Sequence, residues 1–441
     1  MWDALIVGGG ISGVYAAYLL REKGYRVLVL EAQSRLGGRL YTVYTPEGWP
    51  VDLGGQWVGP QQTHLLRLIE KLGLGFYPTP MQGDHLLVLP EGGIQRYKGS
   101  IPKLPWLALV DLGWGLHRFR AKMKAVHPQA PWHITEPTWE AITLAEWSRS
   151  QFRTILAREL FNTGMATVLG CEPEEVSLWH ALFYARSAGS LEALIETEGG
   201  AQAYKITPGA SVLVETLAQF VPYQIDQPVI QITYCPDKVE VRTLRGDTFQ
   251  ARWAIIAIPP AMTARIHWSP PLPPLYQQLG QRMPMGAITK VVAFYERPFW
   301  RDKGYSGHVV KLAGALRTLF DTSPPNATYG QLTGFGVGAL ARALLTVSPE
   351  ARTDHYQQEL TKLWGTPPQR LYVQAWSGEP FIGGGYGGYF PPGGWRFCGQ
   401  VLRKPLPPLY WAGTERSPAW MGYIEGALIA AQNAVENYTK Y

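Results

Sequence analysis

DALIVGGGISGVYAAYLLREKGYRVLVLE, residues 3–31, is the stretch from which the fold is read. ALIV is a short apolar run of the kind that forms a strand covered on both faces in a parallel sheet. Glycines follow at 8, 10 and 13 in the order G-x-G-x-x-G, VYAAYLLREK carries small and apolar residues at helical spacing, and YRVLVL makes a second buried strand that ends at Glu31. Gly8 permits the tight turn, Gly10 lets a pyrophosphate approach the backbone, and Gly13 lets the helix pack closely on the sheet. The helix N-terminus beyond Ser12 offers unbonded N–H groups and a partial positive charge to phosphates. Glu31 lies about twenty residues beyond the turn, where a carboxylate accepts hydrogen bonds from a ribose. Taken alone, the glycine pattern is a Gly-rich turn. With strand, helix, strand and acid in order it predicts a dinucleotide site, and the acid argues against the 2′-phosphate of NADP.

The following segment, AQSRLGGRLYTVYTPEGWPVDLGGQWVGPQ (32–61), separates FAD from NAD. An NAD domain would proceed to its next crossover helix. Here a glycine pair at 37 and 38 precedes Arg39, and a second pair stands at 54 and 55 after a strand and a turn. A further glycine-rich phosphate contact suits a longer, more extended dinucleotide.

EAQSRLGGRLYT (31–42) and VDLGGQWVGP (51–60) resemble the FAD signatures of the flavin-containing monoamine oxidases, and YWAGTERSPAWMGYIEGALIAAQNAVENY (410–438) is similar to that family's closing flavin segment. AIPPAM (257–262), WSPPLPP (268–274) and MGAITKVVAFYERPFW (285–300) match family patterns in the expected order. The resemblance implies an α/β fold, α+β overall, with a Rossmann-like FAD domain and a discontinuous substrate domain of mixed sheet and helices. Residues 1–78, 205–280 and 390–441 would form the FAD domain, and 79–204 and 281–389 the substrate domain. The central part reads the same way from its own pattern: ASVLVETLAQFV (210–221) is a short amphipathic helix, and PVIQITY, KVEVRT and FQARWAIIAI are strands divided by turns. SPPNATYG (323–330) reads as a loop.

Carried over by position, Glu31 with Ala32 would bind the adenosine ribose, and Gly38 and Arg39 the pyrophosphate. Gly54, Gly55, Gln56 and Trp57 would line the flavin, and Val229 would meet the adenine end through its backbone. Gly413, Thr414 and Glu415 would pass near the ribityl-pyrophosphate. The helix beginning near Ile424 would aim its N–H groups at the flavin C2 carbonyl, where the reduced cofactor carries negative charge.

FIGGGYGGYFPPGGW (381–395) sets one tyrosine, Tyr386, among seven glycines. Within the resemblance Tyr386 and Tyr423 are the walls of an aromatic cage that admits a small amine and orients its α-carbon. The glycines would then let a flat cofactor pass against the backbone. From spacing alone, both tyrosines could equally be half-buried loop aromatics. The residue before the cage tyrosine, a flavin-tethering cysteine in animal members, is Gly385 here, so the FAD should be held non-covalently. Lys290 reads on its own as a surface lysine at a strand edge. By resemblance it holds a water near the flavin and assists reoxidation by dioxygen, its charge favouring transient superoxide and peroxide. Trp376 (QAWSGEP) packs beside this site. Gln202 stands beside the substrate and Leu194 belongs to an entrance gate.

The implied reaction is oxidative deamination of a primary or secondary amine. The neutral amine enters the cage, two electrons and the α-hydrogen pass to the flavin in a hydride-type transfer, and the iminium hydrolyses to an aldehyde or ketone. Dioxygen reoxidises the flavin and gives hydrogen peroxide. An L-amino-acid oxidase is the first alternative and needs a cationic clamp, for which Arg317 (ALRTLFDT) is the candidate. A carotenoid or porphyrinogen oxidoreductase is the second, and a flavin-binding module without catalysis the third.

Composition agrees. At 441 residues the chain predicts two domains, and 46% hydrophobic with 17% charged residues suits a large buried core. A net charge of +6 is mild, and the one basic run, HRFRAKMK (117–124), reads as a solvated helix face rather than a membrane patch. Basic-aromatic repeats and zinc spacings are missing, which excludes the common nucleic-acid modules and leaves no metal site expected. Cys171, Cys235 and Cys398 are far apart and read as buried thiols in a reducing compartment. The chain opens directly on a strand and has no membrane-length apolar run, so a cytoplasmic, soluble protein without the family's membrane anchor is expected. A homodimer is left open.

Overall fold

A computed structural model of the chain describes residues 1–439. Its first sheet follows from the opening motif. Trp2–Val7 pairs in parallel with Val27–Leu30 on one side and with Thr248–Ile256 on the other. Val27–Leu30 is buried at every position, as a strand covered on both faces must be. Beyond Thr248–Ile256 the chain meanders antiparallel through Lys238–Thr243 and Val229–Cys235, and Leu409–Trp411 adds to Thr248–Ile256 in parallel. Stretches far apart in sequence therefore share one sheet. The helices Ile11–Glu22, Val212–Ala218 and Ile424–Thr439 cover one face, where Val14, Leu213 and Leu428 pack with Ile6, Val29 and Ile255.

The glycine turn has the geometry its spacing demands. Gly8 has φ +106°, and a Cβ there would stand 2.9 Å from Ala257 O. A Cβ on Gly13 would stand 2.0 Å from Gly8 O, so only glycine lets this helix sit so close to the sheet.

The second sheet runs Arg370–Ala375, Ile288–Tyr295, Gly330–Val337, Leu316–Asp321, Tyr305–Lys311, Asp84–Val88, Ile94–Tyr97. Ile288–Tyr295 and Gly330–Val337 are buried throughout. The helix Pro349–Trp364 closes one face with Tyr356, Leu360 and Trp364. Helices Trp106–Met123, Leu144–Gln151, Ile155–Leu169 and Leu178–Ser187 form an aromatic-rich cap built around Phe119, Trp147, Phe161 and Trp179. Ser323–Tyr329 is the loop between two strands of the second sheet.

Two expectations change. Cys235 is exposed, because it ends a hairpin strand, while Cys171 and Cys398 are buried. The run 117–124 is not uniformly solvated: Phe119 and Met123 face the core, Arg120 pairs with Glu192, and Lys122 lies 3.8 Å over the Trp139 ring. Exposed apolar residues of this helix, Trp106, Leu107, Val110 and Trp114 among them, lie before that run, in its N-terminal half. Among the described residues, no helix is long and apolar enough to cross a membrane.

Candidate active site

Residues of both sheets and of the helical cap enclose a cavity of about 860 Å³. Its walls include Gly8, Gly10, Ser12, Glu31, Ala32, Gly38, Arg39, Gly54, Gly55, Gln56, Trp57, Val229, Gly413, Thr414 and Ile424. Lys290, Trp376, Tyr386, Tyr423, Leu194 and Gln202 line the same space. Gly13, Glu415 and Arg317 stand outside it, each for a different reason.

The cradle is built from backbone. Glu31 is 6% exposed; its carboxylate accepts from Gly9 N–H at 2.6 Å and from Gln33 N–H at 2.8 Å. Burial pushes its pKa up, and those backbone donors oppose the rise without cancelling it. Ser12 stitches two helices together, donating to Ala427 O at 2.8 Å and accepting from Gly413 N–H at 2.9 Å. Gly13 lies behind the turn, where it sets the packing distance.

These residues fit an extended dinucleotide. A Cβ on Gly10 would meet no protein atom nearer than 3.8 Å, so the space above this glycine is open to a phosphate. The N–H groups of Ile11, Ser12 and Gly13 and those of Ile424, Glu425 and Gly426 have no acceptor among the described residues, and the two helix starts face one cavity. Gln56 Nε2 and Trp57 Nε1 are likewise buried donors without a partner there. Among the described residues, no cluster of His, Cys, Asp and Glu could hold a metal ion.

Arg39 lines the cavity and is held in place by two protein partners. Its guanidinium donates to Tyr386 O at 2.7 Å and to both carboxylate oxygens of Glu415, at 2.5 and 3.2 Å. Glu415 has a fully buried side chain; burial pushes its pKa up, but the charge and hydrogen bonds of Arg39 outweigh that and bring it down. Arg39 and Glu415 thus tie the cradle to the loop that carries Tyr386. Thr414 does the same for the other tyrosine, accepting from Gly422 N–H and donating to Tyr423 O.

Tyr386 backs onto Phe335 at 5.9 Å between ring centroids, and Tyr423 onto Trp420 at 5.2 Å and Tyr184 at 6.3 Å. Burial raises both phenol pKa values, so both stay protonated. The glycines around Tyr386 answer first to protein neighbours: a Cβ on Gly383 would strike Met262, on Gly384 the carbonyl of Gly286, on Gly388 Met283. That fold-back was invisible in the sequence, where a flat cofactor was the only evident reason for them.

Lys290 is no edge lysine. It sits in a strand paired on both sides and is 2% exposed. Its Nζ donates to Gly54 O at 2.7 Å and Gln56 Oε1 at 2.8 Å, both uncharged, and burial brings its pKa down to about 7. Lys205, equally buried, stands 3.3 Å from the Asp52 carboxylate. Lys290 has no such carboxylate partner among the described residues, and with its pKa brought down to about 7 its charge changes near neutral pH. Trp376 donates from Nε1 to Leu53 O and packs in the cluster that backs Tyr386.

Gln202 and Leu194 are brought together, Gln202 Nε2 donating to Leu194 O at 3.3 Å. Arg317 is not. Its guanidinium donates to Leu312 O, while its neighbours Thr318 and Phe320 face the cavity. Phe335, Tyr184, His85 and His308 were missed, since nothing in their local sequence distinguishes them from core residues.

The family model for flavin containing amine oxidoreductases matches residues 11–437. A flavin-containing amine oxidase of Oncorhynchus mykiss is 34% identical over 98% of this chain and 85% of its own length. Cyclohexylamine oxidase from Brevibacterium oxydans superposes with a TM-score of 0.94 at 29% identity, over 100% of this chain and 99% of that one. A putrescine oxidase bound to putrescine does so with the same TM-score at 25% identity and the same coverage. Glycine turn, buried tyrosines and buried lysine thus stand on a scaffold whose relatives are flavoenzymes: the chain belongs to the flavin-containing amine oxidoreductase family, and FAD-dependent oxidation of amines is its chemistry.

Proposed function

We propose that this chain deaminates primary amines with an FAD held non-covalently, and that one arrangement carries the reading: two protonated, buried phenols and a buried lysine with uncharged partners open on the same cavity as two helix N-termini. Bound FAD would supply the acceptor for two electrons and the α-hydrogen of the amine, with dioxygen as the final acceptor and hydrogen peroxide as its product. Residues 1–78, 205–280 and 390–441 hold it, as the make-up of the first sheet supports. Glu31 takes the ribose, Gly10 and the N–H groups after it the pyrophosphate, and the start of Ile424–Thr439 the flavin carbonyl.

Neither phenol can act as a base at neutral pH, because each is held protonated. The amine therefore has to arrive neutral, and the phenols only orient it. Arg39 acts through the Tyr386 carbonyl and Thr414 through Tyr423, so both are positioning residues. Lys290, anchored by Gly54 and Gln56, keeps a proton and a charge available where dioxygen is reduced. The enclosing aromatic wall keeps out bulk water until the iminium leaves to be hydrolysed.

No cysteine among the described residues lines the cavity; Cys398 Sγ donates instead to Gly394 O. Acid precipitation should release all the flavin, and yellow colour left on the pellet would refute the non-covalent reading. Peroxide release is then measured with benzylamine, phenethylamine, tyramine and putrescine against the common L-amino acids. Turnover of amines and not of amino acids is expected, since Arg317, the candidate carboxylate clamp, lies outside the cavity.

A further inference from the structure

The second sheet carries, on the cavity wall, a polar cluster that amine oxidation does not use. Three adjacent strands present it: Asp84–Val88, Tyr305–Lys311 and Leu316–Asp321. Their register sets Val309 opposite both Leu86 and Leu319, which brings His85, His308 and Phe320 abreast on the cavity side. The two imidazoles are 5.0 Å apart, and His308 stacks on Phe320 at 4.9 Å.

The hydrogen bonding of the cluster is incomplete. His85 Nδ1 lies 2.6 Å from Ser306 Oγ, which also accepts from His308 N–H at 3.1 Å and stands 3.3 Å from Asp84 O. All three contacts are satisfied when the serine donates to Asp84 O and His85 Nδ1–H donates to the serine, which leaves His85 Nε2 as an acceptor. His308 Nδ1 and Thr318 Oγ1 are buried with no partner among the described residues, and Thr318 is 7% exposed. Buried polar groups are ordinarily paired. Burial holds both histidines toward the neutral form, with the pKa of His308 brought down to about 3. The carboxylate of Asp84, which raises the pKa of His85 against the larger effect of burial, stands 3.9 Å from Lys98 Nζ.

A row of rings joins this cluster to the cage. Tyr386 meets Phe335 at 5.9 Å, Phe335 meets Phe320 at 6.3 Å, and Phe320 meets His308. We propose that His85, His308 and Thr318 form a subsite for a neutral hydrogen-bonding group, a hydroxyl or an amide, at the far end of an elongated amine whose apolar body lies along those rings. The proposal rests on the amine-oxidase reading and names its substrate class.

The test compares straight-chain alkylamines, from hexylamine to decylamine, with ω-amino alcohols and α,ω-diamines of the same length. Dissociation constants are measured by calorimetry on the holoenzyme without oxygen, and kcat/KM by peroxide release. At the matching length the amino alcohol should bind about fivefold more tightly than the alkylamine, against its lower hydrophobicity. His308→Phe, which keeps the stacking on Phe320, should reverse that ratio. Thr318→Val, which keeps the volume, should shrink it about threefold. A wild-type ratio favouring the alkylamine at every length would overturn the subsite, as would a preference for the diamine. Because binding is read apart from turnover, failure to oxidise any amine would strike the enzymatic reading, whereas unfavourable affinity ratios would strike this one alone.

Discussion

The two ends of the cavity are made by opposite means. At the dinucleotide end the working groups are backbone N–H groups, set by a turn in which the neighbours of Gly8 and Gly13 leave no room for a side chain while Gly10 faces open space. At the amine end they are side chains, drawn from strands and loops that are not neighbours in sequence. The first design concentrates its requirements in a few consecutive positions and tolerates almost no change there. The second spreads them widely, and single substitutions should alter rates and selectivity more than folding.

The largest effect tests the rigidity of the first end. In Gly13→Val the new Cβ would lie 2.0 Å from Gly8 O, a backbone atom that cannot rotate away. The cost should reach about 4 kcal/mol or more, with little flavin retained. Thermal unfolding and the ratio of flavin to protein absorbance measure both. Gly10→Ala sharpens the contrast, since its Cβ meets only open space at 3.8 Å. It should fold with near-normal stability yet bind flavin weakly. Equal behaviour of the two variants would mean that the glycines serve a single purpose.

The seam between the ends comes next. Arg39→Met strands the fully buried Glu415 carboxylate and frees the Tyr386 carbonyl. Removing one partner of a buried pair should cost about 3 kcal/mol. Anaerobic reduction by amine should also slow, because Tyr386 loses its tether. A variant that unfolds as the wild type does would show that the pair carries no part of the fold.

The same contrast explains what could be read without coordinates. The cradle was legible because strand, glycines, helix and Glu31 are consecutive, and local steric rules fix each role. The roles of Tyr386, Tyr423 and Lys290 were readable only through resemblance, since spacing alone could not separate the tyrosines from loop aromatics and read Lys290 as a surface residue. Arg317 failed on strand phase: successive side chains point to opposite faces, and which face meets the cavity is decided by pairing with Gly330–Val337. Arg39 sits in the motif expected of it, and its pairing with a carboxylate 376 positions away is what no local rule could show. His85 and His308 carried no signal, being ordinary residues in ordinary strands until the register places them abreast.

The smallest effect in free energy is also the most diagnostic of the second end. Lys290→Met should slow reoxidation by dioxygen about a hundredfold, near 2.7 kcal/mol, while leaving anaerobic reduction by amine within a few-fold. The pH dependence follows with a definite sign. In the folded protein Lys290 titrates at about 7, so its charge is present below neutrality and lost as pH rises through that value. Free alkylamines have pKa values of about 10, so the competent neutral amine gains population over the same rise. Reoxidation should therefore fall, and reduction rise, from about pH 6 to about pH 9, and stopped-flow measurement separates the two. Stability has its own slope. The folded pKa lies below the ordinary 10.5, so the unfolded chain binds the extra proton between those values, and stability increases with pH from about 7 to 10.5. Lys290→Met should flatten both the reoxidation profile and that part of the stability curve. Half-reactions that rise together with pH in the wild type would leave the lysine as a buried spacer and the contrast between the two ends without its catalytic half.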